Sequence, residues 1–416
     1  MKHKHCYLYS LKHLVSIYLT IQISISISPL VSTSMASMVE RCTLPLGPED
    51  SLLVSNLKGS RYASYNIETL RIPASTIKLL TSLVAIRLLG SNYRFKTDFF
   101  LDKSDNLIMK GYGDPLLVSE VLSDMALKLS KKIKQINHLV VDDSFFERPI
   151  LIPGKTNSPN PYDAPIGAVS ANFNTVFFKM TREGDLVSAE PQTPLLPFAR
   201  QKILAQGWTG GRYTLSHEVQ DPPRYAGELM AYFLKKGGVK MRGEVKVGLV
   251  QGRAIALLTY LSPFTLEEVI AKMLNFSNNF MANQLLVHMG GFKLGPPATL
   301  SKGLKVVRAY AMGRLGIKRF RLVEGSGISR KNKISALEMF KILHEFFPFR
   351  RLLRRDGTML SKSGTLRGIK TLAGYLECQS PDNPLVFVIF TVGEGNKLEK
   401  VKRCLIRVSE SSEGLH

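Results

Sequence analysis

A serine and a lysine three residues apart form the first chemically suggestive pattern in the chain. In the stretch IPASTIKLL, Ser75 and Lys78 would lie one helical turn apart on the same face, within hydrogen-bond reach. A lysine is normally protonated at neutral pH, but burial disfavours its charged form, and a neutral amine can accept a proton from a hydroxyl. A serine nucleophile with Lys78 as its base is therefore one interpretation of the pattern. Taken alone, the stretch favours the plain alternative, a helix start with Ser75 as its N-cap.

A second pattern, serine–any–asparagine, recurs in the chain, and local context separates the copies. Copies include those that begin at Ser104, Ser158, Ser170 and Ser277. The copy at Ser104 reads SDN but lies in a polar stretch typical of a tight turn. Ser277, Asn278 and Asn279 lie instead at a break between two apolar helical segments, where short polar side chains can project into a cleft. This copy is favoured as the partner of Ser75, with a simple interhelical cap as the alternative.

A third pattern, lysine–serine–glycine, falls in a predicted strand. In the segment MLSKSGTL, alternation places Lys362 and Gly364 on one face and Ser363 and Thr365 on the other. A cation and two hydroxyls beside a cleft suit a substrate carboxylate, and Gly364 permits another backbone to approach closely. The alternative is an exposed strand that carries a lysine.

The order of the three patterns is more informative than any one of them. Each is weak alone, and the chain holds look-alikes such as Ser55–Lys58, where a strand-and-turn context points the two side chains apart. Together they occur on a helix, then between helices, then on a strand of a C-terminal meander. The sequence therefore predicts one site that combines them.

Hydrophobic periodicity and turn residues predict the elements that must position this site. The predicted elements are a hairpin turning near Gly59-Ser60, a helix from Ser75 to Gly90, a helix begun by a Thr265–Glu268 capping box and broken at SNN, a helix over Ser301–Leu315, antiparallel strands in MLSKSGTL, TLAGYL and PLVFVIFTVG, and a helix over Lys397–Val408. Residues of about 95–255 show a different pattern from the helical segments on either side, with short strand-like pieces broken by Gly, Pro, Asn and Asp. They predict a mostly β insert.

The N-terminus indicates export. Lysines at 2, 4 and 12 precede the apolar run LVSIYLTIQISISI, and small residues follow up to Ala36, as in a signal peptide cleaved there. The alternatives are an uncleaved anchor and a mis-assigned start codon. The predicted division is residues 1–36 as signal peptide, 37–95 and 256–416 as the catalytic domain, and 96–255 as inserted subdomains.

Charge and cysteine content limit the partners. The formal net charge is +23, and loss of residues 1–36 would leave +20, which suggests anionic surroundings. The basic clusters lack interleaved aromatic residues, so we expect membrane or wall polymers rather than nucleic acid. Beyond the signal, Cys42, Cys378 and Cys404 allow one disulfide, whose partners the sequence does not select. The histidines show no metal-ligand spacing, so neither metal nor cofactor is expected.

These segments together resemble the class C low-molecular-mass penicillin-binding proteins, the D-alanyl-D-alanine carboxypeptidase/endopeptidase family. The resemblance covers nearly the whole chain after residue 36 and rests on PASTIKLLTS, GYGDPLL, VVDDSFF, PYDAPIGAVSANFN, FSNNFMANQLL, EGSGISRKN and KSGTLRGIKTLAGYL. The family's third motif is usually K-T-G, and Ser363 keeps the hydroxyl. Glu324 stands where the family often has aspartate.

The resemblance implies an α/β fold: a β-lactamase/transpeptidase-like domain, with an antiparallel sheet flanked by helices and the insert between the first and second motifs. It implies acyl transfer, with attack by Ser75 on a D-Ala-D-Ala peptide and Lys78 as base. Ser277 would pass a proton to the leaving amine, and Lys362 would orient Ser277. Asn279 would hold the substrate amide.

The remaining predicted contacts bind substrate. Ser363 and Thr365 would bind the terminal carboxylate, beside Gly364, and Asn278 is a further candidate. The backbone N–H groups of Ser75 and Thr365 would form the oxyanion hole. The expected partners are peptidoglycan peptides and, as covalent inhibitors, β-lactams; the expected location is the periplasm or cell envelope.

Two other functions remain open on this sequence. A serine β-lactamase would share the acylation machinery, but the chain has no E-x-x-L-N segment to position a deacylating water and no Y-x-N second motif. A non-catalytic envelope-binding protein on the same fold would not require the full residue set. The balance between carboxypeptidase and endopeptidase activity also remains open.

Overall fold

The structure is a computed structural model that describes residues 35–249, 254–378 and 383–413. The helices are α1 (residues 35–41), α2 (Lys78–Leu89), α3 (Ser119–Ser130), α4 (Pro197–Gln206), α5 (Asp221–Lys236), α6 (Leu266–Asn275), α7 (Asn279–Leu294), α8 (Leu300–Gly313), α9 (Ala336–Phe346) and α10 (Lys397–Glu413). Short 3₁₀ helices cover Ala74–Ile77, Pro161–Asp163, Ala171–Asn174 and Phe347–Leu352. In these ranges no helix combines the length and the apolar character needed to cross a membrane. Most of the predicted signal peptide lies outside the described residues.

The strands form two larger sheets and three smaller ones. They are β1 (Ser51–Asn56), β2 (Arg61–Tyr65), β3 (Arg94–Leu101), β4 (Leu107–Gly111), β5 (Gln135–Ile136), β6 (Leu139–Asp142), β7 (Thr175–Met180), β8 (Leu186–Ser188), β9 (Gly210–Thr214), β10 (Lys240–Met241), β11 (Val245–Val247), β12 (Ile255–Thr265), β13 (Phe320–Arg321), β14 (Lys333–Ile334), β15 (Arg354–Asp356), β16 (Met359–Leu366), β17 (Ile369–Leu376) and β18 (Leu385–Val392).

The first larger sheet is antiparallel throughout, in the order β15-β16-β17-β18-β1-β2. It confirms the predicted hairpin and C-terminal meander. Its central strand β18 is almost entirely apolar because both of its faces are covered. Val388 and Phe390 face the helical core with α9, whereas Phe387 and Ile389 face α1 and α10.

Helix α2 is the centre of the helical layer on the inner face of this sheet. Its leucines at 79, 80 and 83 are fully buried, and α6, α7, α8 and α9 surround it. Full burial of a leucine side chain stabilises a fold by roughly 1.5–3 kcal/mol, so this helix is firmly held. Gly90, with φ 88°, ends it at the predicted position.

The broken helix before and after Ser277 forms as predicted. Thr265 and Glu268 make a reciprocal capping box, with the Glu268 carboxylate accepting from Thr265 N at 2.7 Å. Helix α6 ends at Asn275, and α7 begins at Asn279, capped by the Asn278 side chain, which accepts from Met281 N at 3.0 Å. The residues between the helices are thereby fixed at both ends.

The insert is built on the second larger sheet, in the order β11-β6-β4-β3-β12, with parallel pairs at β11–β6 and β6–β4. Strands β4–β11 and helices α3–α5 lie within it, around a separate apolar cluster. The loop after β6 returns to the main core, where Phe146 and Ile152 are buried. Because β3 and β12 cross the predicted limits at 95 and 256, the domain boundaries stay a prediction.

A disulfide joins Cys42 to Cys404, with the two Cα atoms 5.6 Å apart. It fastens the segment that follows α1 to α10, across 362 residues of chain. Both helices cover the outer face of the antiparallel sheet, so the bond holds that cover in place.

We expect Cys404→Ser to lower the free energy of unfolding by about 2–4 kcal/mol, because the unfolded chain loses a long-range constraint. Thermal unfolding with and without reductant measures the effect: reductant should lower the melting temperature of the wild type but not of Cys404→Ser. Cys378→Ser is the matched control and should keep the reductant-sensitive step. Equal melting temperatures of oxidised and reduced wild type would refute the expectation.

Candidate active site

The predicted site residues converge on one cleft of about 640 Å³. The cleft is lined by Ser75, Pro161, Tyr162, Phe276, Ser277, Asn278, Asn279, Gly327, Ile328, Ser363, Thr365 and Leu366. Lys78, Lys362 and Gly364 are buried. The nine residues chosen from the three sequence patterns thus lie in or behind a single cleft between the helical layer and the β16 end of the sheet.

Ser75 lies on a 3₁₀ turn, Ala74–Ile77, that leads into α2. The interpretation of Ser75 as an N-cap is wrong, because α2 begins only at Lys78 and no side-chain cap bond is made at either helix start. The Ser75 hydroxyl instead accepts a hydrogen bond from Lys78 Nζ at 2.9 Å. Ala74 has φ 46°, a left-handed conformation that costs a non-glycine residue about 1–2 kcal/mol.

Lys78 is fully buried and donates from Nζ to three acceptors contributed by three different segments. Beside Ser75 Oγ, they are Asn279 Oδ1 at 2.7 Å and the backbone oxygen of Ser326 at 2.6 Å. The ammonium therefore has an oxygen for each of its three protons.

Burial lowers the pKa of Lys78 from 10.5 to about 7. Desolvation of the charged amine is the largest cause, and the nearby positive charge of Lys362 lowers the pKa further, while Glu324 raises it. A substantial fraction of Lys78 is thus neutral near pH 7. Because the Asn279 Oδ1 atom and the backbone oxygen of Ser326 can only accept, they take the two protons of the neutral amine, and its lone pair is left for the Ser75 hydroxyl.

The break between α6 and α7 presents Ser277 and Asn279 to the cleft. Ser277 has φ 52°, which turns the chain sharply between the helices. Asn279 holds Lys78 through its carbonyl oxygen. Asn278 also lines the cleft, but its side-chain oxygen caps α7, so this group is committed to the helix.

Strand β16 alternates as predicted. Lys362 and Gly364 are buried, whereas Ser363 and Thr365 are exposed and line the cleft. A Cβ at Gly364 would lie 2.7 Å from Ser75 N, so only glycine lets the strand approach the nucleophile turn this closely.

Lys362 does not make the contact with Ser277 that the resemblance implied. Its ammonium donates to its own neighbour, Ser363 O, at 2.7 Å and makes no hydrogen bond to Ser277 in the described structure. Burial lowers the pKa of Lys362 to about 8. Its influence on Lys78 is therefore electrostatic, and the orientation of Ser277 by Lys362 is not present in this state.

Sequence reasoning gave the turn at residues 324–329 no part in the site, although its Gly327 and Ile328 line the cleft. It assigned no role to Ser326, because the contact with Lys78 is made by a backbone carbonyl that leaves no mark in the sequence. The available signal was the Gly-Ser-Gly triplet: Gly327 has φ 87°, and a Cβ there would lie 1.8 Å from Ala74 O. Tyr162, from the insert, was also missed.

The look-alike serines lie elsewhere. Ser55 is buried in β1 and donates to Ser60 O at 2.9 Å, while Lys58 is exposed. Ser104 belongs to a tight turn around Asp102. None of the look-alikes lines the cleft. Across the described ranges, no three His, Cys, Asp or Glu side chains are grouped so as to hold a metal ion.

Comparisons with known proteins agree on one family. A model of the D-Ala-D-Ala carboxypeptidase 3 (S13) family matches residues 47–348. That stretch contains Ser75, Lys78, Ser277 and Asn279, whereas Lys362 lies beyond it. A D-alanyl-D-alanine carboxypeptidase from Actinomadura sp. (strain R39) is 26% identical over 398 residues, 77% of this chain and 73% of the relative. The carboxypeptidase DacB from Haemophilus influenzae is 23% identical over 455 residues, 92% and 93% of the two chains.

Solved structures share the fold. Penicillin binding protein 4 from Haemophilus influenzae superposes with a TM-score of 0.73 at 21% identity, covering 89% of this chain and 98% of that one. A predatory peptidoglycan endopeptidase from Bdellovibrio bacteriovorus gives a TM-score of 0.53 at 16% identity, covering 87% and 92%. Since the family match covers more than half of the sequence, this protein belongs to the D-Ala-D-Ala carboxypeptidase 3 (S13) family.

Proposed function

We propose that this protein is a serine D-Ala-D-Ala carboxypeptidase that acts on peptidoglycan stem peptides through an acyl-enzyme on Ser75. The observation that carries the proposal is the buried Lys78 amine, 2.9 Å from Ser75 Oγ in a cleft wide enough for a peptide. Membership of the family and relatives named as carboxypeptidases support it.

Acylation begins with proton transfer from Ser75 to neutral Lys78. Asn279 and Ser326 hold the amine so that its lone pair meets the hydroxyl proton, and Ser75 Oγ then attacks the carbonyl carbon between the two D-alanines. The resulting oxyanion would accept from the N–H groups of Ser75 and Thr365. The close approach at Gly364 brings β16 next to the Ser75 backbone, which supports this pairing.

The leaving D-alanine would be bound and protonated by hydroxyl groups that line the cleft. Ser277 lines the cleft and would pass the proton from Lys78 to the leaving amine. Ser363 and Thr365 offer exposed hydroxyls to the terminal carboxylate, and Lys362 behind them adds positive potential. Asn279 uses its oxygen for Lys78, so its amide N–H group is the one available to the substrate carbonyl. Water then hydrolyses the ester.

The same chemistry serves an endopeptidase, because only the leaving group differs. A Bdellovibrio neighbour is described as a peptidoglycan endopeptidase. We propose carboxypeptidase activity as the principal one, with cleavage of cross-linked muropeptides as a second activity. Release of D-alanine from a pentapeptide, compared with cleavage of a cross-linked dimer, measures the balance.

Labelled penicillin is expected to acylate the wild-type protein and not Ser75→Ala, because the β-lactam ring presents its carbonyl to the same nucleophile. Structures of two fold neighbours hold a β-lactam or a penicillin G acyl group. Ser55→Ala is the matched control and should be labelled like the wild type. Equal labelling of Ser75→Ala would refute the proposal; rapid turnover of penicillin would indicate a β-lactamase, and a folded but unlabelled wild type would indicate a non-catalytic binding protein.

The second-order rate of acylation by penicillin should follow a narrow bell in pH. It should rise with pH near 7, as Lys78 loses its proton, and fall near 8, as Lys362 loses its charge. Lys362→Arg should retain the rising limb and lose the falling one, because a guanidinium keeps its charge. Stopped-flow measurement with a fluorescent penicillin tests this, and a rate unchanged across neutral pH would contradict it.

We propose further that the protein works in the periplasm or cell envelope, near an anionic membrane surface. The predicted signal peptide and the Cys42–Cys404 disulfide support export to an oxidising compartment. A groove of about 560 Å³ beside that disulfide is lined by the exposed cations Arg41, Lys400, Arg403 and Arg407, with no carboxylate among its lining residues. Clustered like charge favours an anionic partner such as phospholipid headgroups.

Replacing Lys400 and Arg403 together by glutamate should therefore reduce binding to vesicles that contain phosphatidylglycerol about tenfold or more, since each cation near an anionic surface contributes roughly 1 kcal/mol. Flotation at low and high salt measures the binding. Lys131→Glu/Lys132→Glu, the same charge change in the insert, should bind like the wild type. Equal loss in both double variants would show that net charge alone is responsible, and binding to purified wall polymer instead would contradict the membrane assignment.

A further inference from the structure

The turn that supplies the Ser326 carbonyl is folded around a buried carboxylate. Glu324 is fully buried, and one of its oxygens accepts from Ser326 N at 2.7 Å, Ser326 Oγ at 2.6 Å and Asn283 Nδ2 at 3.1 Å. The other accepts from Gly327 N at 2.7 Å, Ser329 N at 3.3 Å and Asn332 Nδ2 at 2.6 Å. Six donors surround one side chain, so the path of the turn depends on this carboxylate.

The turn is also pressed against the nucleophile. Gly327 meets the backbone of Ala74, where a Cβ would lie 1.8 Å from the carbonyl oxygen. Thr81, one turn beyond Lys78 on α2, donates to Gly325 O at 2.8 Å. Displacement of the turn would therefore move the Ser326 oxygen, which lies 2.6 Å from Lys78 Nζ.

Only a carboxylate meets all these donors. A glutamine of the same length has one acceptor oxygen, and its NH₂ group would face N–H and O–H groups that also donate. A buried donor left without an acceptor costs about 1–3 kcal/mol, so the turn would rearrange rather than keep its path.

The charge of Glu324 acts on the same lysine. Glu324 favours the protonated form of Lys78, whereas Lys362 opposes it. Lys155, from the insert, also faces Glu324; its ammonium is bonded to Ala164 O, and burial lowers its pKa to about 8. The charge of this carboxylate thus acts on both Lys78 and Lys155, and its removal changes the field at the amine that contacts Ser75.

We propose that Glu324 is a positioning residue for acylation: it folds the turn at residues 324–329 so that the Ser326 carbonyl holds the Lys78 amine with its lone pair toward Ser75. This inference rests on the proposed function, in which Lys78 is the base. Glu324 is buried behind the cleft and is not among the residues that line it.

Single-turnover acylation by a fluorescent penicillin, measured across pH, tests the inference because its amplitude reports the folded fraction and its rate constant reports positioning. Glu324→Gln should lower the plateau rate constant about tenfold to a hundredfold, as for a base displaced by an ångström or less. It should also move the rising limb about one pH unit lower, since the lost negative charge no longer favours protonated Lys78.

Two variants separate charge from folding. Asn332→Ala removes a donor to Glu324 but keeps the carboxylate, so its rising limb should stay at the wild-type pH whatever its thermal stability. Glu324→Asp keeps the negative charge but moves it back by one methylene. The rising limb of its pH profile should therefore stay at the wild-type pH. Its rate constant should fall severalfold, with the full amplitude retained. If Glu324→Gln does not fold, Glu324→Asp decides the test.

A Glu324→Gln protein that has the wild-type rate constant and the rising limb at the wild-type pH would overturn the inference, whether or not its amplitude is reduced. A folded Glu324→Asp protein with the wild-type rate constant at every pH would also overturn it. In each case the wild type would still be acylated at Ser75. Failure of the proposed function is distinct, because wild type and all variants would then remain unlabelled.

Discussion

The burial of one amine organises this protein. Lys78 begins α2, the helix on which the inner core is packed, and its charged form is poorly solvated there. Three hydrogen bonds replace the lost water: the amine donates to oxygens of Ser75, Asn279 and Ser326, which belong to three different segments of the chain. The helix break, the turn at 324–329 and the nucleophile turn must therefore all form before the amine is satisfied. The same desolvation that makes this costly brings the pKa to about 7, where the amine can serve as a base.

Close backbone contact is the second constraint. Gly327 and Gly364 press on the turn of Ser75 from two sides, and neither position has room for a Cβ. Ala74 and Ser277 adopt left-handed conformations that are unfavourable for their residue types. Such conformations persist because the surrounding helices and strands leave the chain no other path, and they bring Ser75 and Ser277 to the wall of the cleft.

The rest of the fold divides its roles around this centre. The antiparallel sheet presents β16 to the cleft on its inner side, while α1 and α10, joined by the disulfide, cover its outer side. The insert has its own core, but its loop after β6 returns to the main one and contributes Tyr162 to the cleft wall. One wall of the cleft thus comes from the insert, through a loop that packs against the main core.

Local patterns in the sequence determined much of this arrangement. Periodicity and caps predicted α2, the break at Ser277 and the alternation of Lys362 with Ser363, because these depend on neighbours a few residues away. Local context likewise removed Ser55 and Ser104. The pairing of Cys42 with Cys404, the bond of Lys362 to a backbone oxygen and the Ser326 carbonyl were decided only by tertiary structure. Disulfide partners depend on which distant segments meet in the fold. Every residue carries the same backbone carbonyl, so no side-chain pattern distinguishes the carbonyl that packing places beside a buried lysine.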